Sequence, residues 1–191
     1  MGLDAIKAAT WDLHTRAERS GIIADILAGR ASRYGVVLLL RNLLPVYQAL
    51  DRSAVGHPAL ARSEAIEADL RVLAPGGDVP LLPEGVAYAE RVGDAGEGLI
   101  AHAYVRYLGD LNGGRIMQRR LAACLGEVAD AISFHDYPAL VELPDFMRLY
   151  RQEMDRAVQA ATVAVVEREA VVAFEMNIGL SNAVKAYAER V

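Results

Sequence analysis

The stretch YLGDLNGGRIM, Tyr107 to Met117, decides how this chain is read. It is flanked by LIAHAYVR (residues 99–106) and QRRLAACL (residues 118–125), both helical in character. Yet it carries Gly109, Gly113 and Gly114, with Asp110 beside the first. A glycine inside a helix costs roughly 1 kcal/mol relative to alanine, because its unfolded backbone has more freedom to lose. Three in one helix therefore need a use. Gly109 and Gly113 are four residues apart and share a face. A face without side chains suits tight packing of another helix, or the approach of a large flat ligand to the backbone. Gly114 predicts a bend. Asp110 lies about 100° round the helix from Gly109, so its carboxylate can stand beside such a ligand without being crushed by it.

Outward from this segment the periodicity is helical along the whole chain. Leu3, Ile6, Thr10, Leu13 and Ala17 recur at spacings of three and four. Residues 31–53 predict a long apolar helix with Val37, Leu40, Leu44 and Tyr47 on one stripe, and Pro45 predicts a kink or break within it. Further helices are expected over about 63–74, 83–93, 97–125, 145–161 and 163–188. The last carries Val166, Ala170, Ala173, Asn177, Leu180 and Val184 on one stripe. APGGDVPLLPEG (residues 74–85) and SFHDYPALVELP (residues 133–144) read as loops. Neither a strand pattern nor a repeat of fixed period is visible. The expectation is one all-α domain spanning residues 1–191.

Composition narrows the function. The chain has 191 residues, 53% of them hydrophobic, enough for one domain with a proper core. Its net charge of −5 argues against general nucleic-acid binding. The only lysines are Lys7 and Lys185, so positive charge is carried by arginine. Arginine forks match carboxylates and phosphates, although a GC-rich coding bias gives the same composition. Cys124 is the single cysteine, which excludes a disulfide or thiolate cluster within the chain. The first twenty residues form an amphipathic pattern with acids, unlike a signal peptide. GVVLLL is far shorter than the roughly 20 apolar residues of a membrane span. A cytoplasmic protein with no membrane or nucleic-acid partner is expected.

Three other segments carry candidate chemistry. In KAATWDLHTRAERS, Lys7, His14 and Glu18 share one flank of a helix. Glu18, four residues after His14, is placed to accept a hydrogen bond from Nδ1 and leave Nε2 as a neutral metal ligand. The same pattern also suits a surface ion pair. In DFMRLYRQEM, Arg148 and Arg151 flank Tyr150 and suit either a carboxylate clamp or a solvated face. In AFEMNIGL, Phe174 and Asn177 suit either a pocket wall or core with one satisfied amide. His57, His102 and His135 receive no role. The absence of Glu-x-x-His pairs excludes a carboxylate di-iron bundle. No phosphate loop, dinucleotide fingerprint or Gly-x-Ser-x-Gly elbow is present.

Taken together, these segments resemble the haem oxygenase family. AHAYVRYLGDLNGGRIM is similar to its distal-helix signature and KAATWDLHTRAE to its proximal helix; LYRQEM and AFEMNIGL match its last two helices in order and spacing. The resemblance implies a multi-helix bundle with a kinked distal helix. It implies His14 as proximal iron ligand, Glu18 as its hydrogen-bond partner, and Gly109 and Gly113 pressed over the distal haem face with Gly114 at the bend. Asp110 would organise a distal water network. Lys7, Tyr104 and Arg151 match positions near the propionates or pocket edge, and Phe174 and Asn177 match pocket-lining positions. Met147 stands where many relatives have a second basic residue, so propionate anchoring leans on Arg151 and Lys7 or shifts to Arg148. Asn112 replaces the family's distal serine.

The implied reaction uses haem as both cofactor and substrate. Haem is cleaved with O₂ and external electrons to biliverdin, carbon monoxide and ferrous iron. With no flavin or nicotinamide motif in the chain, electrons come from a ferredoxin, a flavodoxin-like protein or a reductase. Arg115, Arg119 and Arg120 suit a docking patch for an acidic donor, or equally a solvated face. A haem sensor or storage protein without turnover would share His14, the glycines and the arginines. Asp110 favours the enzyme, since binding alone needs no proton network. A cofactor-free interaction protein would need none of these groups in register.

Overall fold

The helical periodicity is realised along the chain. The computed structural model describes residues 2–138, 140 and 142–191. Helix α1 (Gly2–Glu18) buries Ile6, Thr10 and Ala17, the stripe that the three- and four-residue spacing predicts. A helix that the periodicity does not announce follows, α2 (Gly21–Leu27), too short to display a stripe. It exists because α2 docks on the last helix. Gly21 has φ +56°, and a Cβ there would fall 2.3 Å from the Ser181 backbone. The Ser181 hydroxyl accepts from Ile23 N (3.1 Å) and donates to Ser20 O (2.9 Å).

Helix α3 (Arg33–Asp51) is capped by Ser32, whose hydroxyl accepts from Gly35 N at 3.0 Å. It runs through Pro45 without a break. Helices α4 (Ser63–Leu73) and α5 (Pro83–Asp94) pack on it. Proline suits the first turn of α5 because its missing N–H has no helical partner there anyway. The distal segment is divided. Regular helix α6 (Leu99–Ala103) passes into a π-helical turn, Tyr104–Leu108, and then α7 (Gly109–Leu125). The departure from α geometry thus falls before the glycines rather than at Gly114. Such π turns insert a residue into a helix and cluster at functional sites. Helices α8 (Leu143–Ala160) and α9 (Val163–Ala188) complete the chain.

Helix α9 is the axis of the molecule, packing against α1, α2, α3, α5 and α6. Small side chains on its buried stripe, Ala170 and Ala173, permit the close approach. Gly98 does the same from the other side, where a Cβ would lie 2.6 Å from the Glu169 side chain. Helices α1 and α7 both line a cavity. Among the described residues there is no strand, and no helix is long and apolar enough to cross a membrane.

Candidate functional site

The cavity has a volume of about 810 Å³, within the range of small-molecule and cofactor sites. Lys7, His14 and Glu18 line it from α1, Tyr104 from the π turn, and Gly109, Asp110 and Gly113 from α7. Arg151 of α8 and Phe174 and Asn177 of α9 line it as well. Residues far apart in sequence therefore converge. Gly114 alone among the predicted site residues stands behind the wall.

On the α1 side, His14 is solvent-accessible, with 54% of its side chain exposed. Its Nδ1 lies 3.9 Å from Glu18 Oε1, an ion-pair separation rather than the hydrogen bond that the spacing predicts. The imidazole is held between rings instead. Trp11 stacks on it at 6.3 Å and 9°, and Phe174 meets it edge-on at 6.1 Å and 65°. Lys7 Nζ lies 5.9 Å from the Trp11 ring centroid. Trp11 lines the cavity too, with 59% of its surface exposed.

On the α7 side the glycines have distinct uses. A Cβ built on Gly109 or Gly113 meets nothing within 4 Å. Glycines retained for helix packing would leave no such space. These two open into the cavity, the arrangement that a ligand-facing pair requires and a helix-packing pair does not. At Gly114 a Cβ would contact His135 Nδ1 at 3.4 Å.

Asp110 is buried and held in a network that the sequence does not announce. The Tyr47 hydroxyl donates to Asp110 Oδ2. Arg106 donates to the same hydroxyl oxygen through Nε (3.0 Å) and Nη2 (2.7 Å), and through Nη1 to Asn177 Oδ1 (2.8 Å). Arg106 Nη2 also lies 3.5 Å from Asp110 Oδ1. Burial, together with the Asp110 charge, pushes the Tyr47 hydroxyl well above the usual tyrosine range, despite the opposing Arg106 charge. Tyr47 is therefore a fixed proton donor. Burial works against the Arg106 charge, but Tyr47 and Asp110 outweigh it and raise the guanidinium further. Two signals point to these residues in hindsight. Tyr47 is a hydroxyl on an aliphatic stripe and needs a partner. Arg106 lies four residues before Asp110, on the same helical face.

At the mouth, Arg151 Nη2 donates to Asn112 Oδ1 at 2.8 Å, and Asn112 Nδ2 donates to Leu108 O at 2.6 Å. Asn112, the replacement for the family's serine, thus ties α8 to α7. Arg148 pairs with Asp145 at 3.6 Å and does not line the cavity. It does not take over the basic position that Met147 leaves vacant. Burial raises the Tyr104 hydroxyl, with Thr10 and Arg151 beside it pulling the other way. Arg115, Arg119 and Arg120 are exposed on α7.

The remaining histidines differ sharply. His57 Nδ1 accepts from Ala59 N at 3.2 Å and caps a turn. His102 is fully buried, its Nε2 2.8 Å from Glu169 Oε1; Arg91 Nε donates to that oxygen at 2.8 Å. This cluster joins α5, α6 and α9 away from the cavity. His135 lines the cavity. No group of three or more His, Cys, Asp or Glu side chains fit to hold a metal occurs among the described residues. The cavity holds the imidazoles of His14 and His135 but no protein cage for a metal.

A family model described as Heme oxygenase matches residues 3–183. The chain is 32% identical to heme oxygenase 1 of Homo sapiens, over 93% of this chain and 69% of that one. That match joins the glycine-faced cavity to a named family. The chain belongs to the haem oxygenase family. Haem oxygenases are oxidoreductases that degrade haem to biliverdin. Identity is 29% to heme oxygenase 1 of Synechocystis sp., over 93% of this chain and 82% of that one. The crystal structure of heme oxygenase-1 from Synechocystis sp. PCC6803 in complex with heme is similar, with a TM-score of 0.85 and 26% identity over 97% of this chain and 92% of that one. The heme oxygenase of Leptospira interrogans shares the fold, with a TM-score of 0.84 at 24% identity over 96% of this chain and 100% of that one. The all-α bundle is the haem oxygenase fold.

Proposed function

We propose that residues 1–191 form a single haem oxygenase domain that binds haem in the cavity lined by α1 and α7. There it cleaves haem with O₂ and external electrons to biliverdin, carbon monoxide and ferrous iron. The observation that carries this reading is the open face at Gly109 and Gly113, across which a flat macrocycle can lie against backbone. The donor set fits as well. One solvent-accessible imidazole, His14, with no cluster of three or more ligating side chains around it, suits an iron whose equatorial ligands come from the macrocycle itself. Bound haem would supply both the iron that activates O₂ and the tetrapyrrole that is oxidised.

The chain's own residues then have these roles. His14 provides the neutral nitrogen ligand, with Glu18 near enough to orient it. Lys7, Tyr104 and Arg151 hold the carboxylate-bearing edge, where charge-assisted bonds are strongest. Phe174 and Asn177 shape the wall. Gly109 and Gly113 leave open space over the face where haem would lie, and the bulk of α7 would close the other directions. Asp110 accepts from Tyr47 and keeps a carboxylate oxygen for ordered water. Asp110 would hold that water as the proton relay rather than donate a proton itself. The exposed Arg115, Arg119 and Arg120 suit the docking of an acidic ferredoxin or flavodoxin-like donor, or of a reductase. The cytoplasm, where such donors occur, is its proposed place of work.

Adding ferric haem and recording the absorption spectrum tests binding, with a Soret band of an imidazole-ligated complex expected. Ascorbate or a reductase under air then tests turnover, with a bile-pigment spectrum expected. Absence of the Soret band refutes haem binding. A Soret band that persists under reductant and air points to a sensor instead.

A further inference from the structure

We propose that His135 is a positioning residue of this cavity, donating a hydrogen bond from Nε2 to the water beside Asp110 and extending the Tyr47–Asp110 network to a second wall. The inference rests on the haem-site reading above, but its observations are separate. His135 comes from the loop between α7 and α8 and lines the cavity. Its Nδ1 is buried and has no hydrogen-bond partner. That nitrogen sits over Gly114, where an added Cβ would lie only 3.4 Å away. Gly114 is one helical turn beyond Asp110, so the imidazole and the carboxylate are neighbours along one helix face. Glycine at 114 thus admits a ring to the distal wall.

The tautomer follows from the enclosure. A buried N–H without an acceptor is rarer and costlier than a lone pair without a donor. Nδ1 therefore carries the lone pair and the proton sits on Nε2, the nitrogen left to meet the cavity. The charged groups facing the ring are Asp110, Arg106, Arg62 and Asp136. Burial dominates over them and pushes the imidazole down to about 4, so it is a neutral donor at physiological pH.

The loop is fixed on both sides of the ring. Buried Asp69 accepts from Ser133 N (2.8 Å), Ser133 Oγ (3.0 Å) and Phe134 N (2.8 Å). Arg62 donates to Asp136 O, and its guanidinium lies 4.1 Å from the Tyr137 ring centroid. Phe134, 4.5 Å from the His135 ring, meets Tyr47 edge-on at 5.4 Å. The hydroxyl that donates to Asp110 and the loop that carries His135 are one packed unit.

Two measurements test this. The first reads the pH midpoint of the alkaline spectral transition of the ferric haem complex in the wild type, His135→Phe and His135→Gln. A donor to the titrating water favours its deprotonated form. His135→Phe should raise the midpoint by roughly half a unit to one unit. His135→Gln, which keeps a donor, should stay near the wild type. An unmoved midpoint in His135→Phe overturns the proposal, as does a glutamine variant that shifts equally far, since that marks a packing role. The second is the long-range ¹H–¹⁵N spectrum of the haem-free wild type, where the Nε2–H tautomer is expected and the Nδ1–H tautomer refutes it. A wild type that gives no Soret band overturns the haem site itself, whereas a haem complex with an insensitive midpoint removes only the role of His135.

Discussion

Asp110 is tied into the fold by its partners and lines the cavity as well. It is a buried carboxylate that accepts from a tyrosine hydroxyl and stands beside an arginine. Arg106 and Tyr47 fix its position on the cavity wall. Asp110→Ala is expected to bind haem normally and to lose biliverdin formation by about a hundredfold or more, the scale of a proton-transfer contribution. Unchanged turnover in that variant excludes the role. Tyr47→Phe leaves Asp110 without its hydroxyl donor and Arg106 Nε without its acceptor. It should lower stability by about 2 kcal/mol in denaturant melts, since buried polar groups lose their partner. His14→Ala should give a haem complex that is weak or lacks the imidazole-ligated spectrum, whereas a normal spectrum would assign the ligand elsewhere.

Helix α7 gives up propensity for a site. Gly109 and Gly113 cost roughly 1 kcal/mol each relative to alanine, and nothing in the haem-free fold would obstruct a methyl group at either. Gly109→Ala or Gly113→Ala should therefore raise the haem-free thermal midpoint, by the equivalent of about 0.5–1 kcal/mol. The same methyl projects into the cavity and should weaken haem affinity. A variant that gains stability and keeps wild-type affinity would show that the glycines serve something other than the ligand. Such opposed effects are expected where a helix trades stability for function. The π turn at Tyr104–Leu108 belongs to the same element, with Tyr104 on the cavity and Arg106 in the network.

The bundle is tied through α9, and one buried cluster links its pH response to its architecture. Burial lowers the His102 imidazole, against the opposing pull of Glu169. The unfolded chain takes up a proton on it near pH 6.5, while the folded chain resists until lower pH. Between those values the unfolded state binds more protons, so stability falls as the pH falls. Glu169 acts in the same direction. Burial alone would raise its carboxyl, but the bonds from Arg91 and His102 hold it below the ordinary range, and their stabilisation is lost as pH falls through that lower value. His135 adds the same sign. Denaturant melts from pH 7 to pH 5 should show stability dropping by up to about 1.4 kcal/mol per pH unit for each histidine kept neutral. A flat profile would mean that neither His102 nor His135 is kept neutral by the fold.

Local periodicity alone determined the all-α class, the bounds of α9, and the glycine-marked segment as the place to look. It did so because a stripe recurring every three to four residues states which face is buried without saying against what. That His14, Asp110, Arg151 and Phe174 line one cavity was legible only through the family resemblance of their segments, because spacing alone left surface and core alternatives open. Helix α2 was not, since seven residues display no stripe and its docking depends on Gly21 meeting Ser181. Nor were Tyr47, Arg106 and His135, whose partners lie 63, 59 and 71 residues away or across a cavity wall in no sequence window. Whether Gly109 and Gly113 serve packing or a ligand was likewise undecidable along the chain. Only the tertiary structure shows the open space at both, because empty space beside a backbone is a property of what the rest of the molecule leaves unfilled.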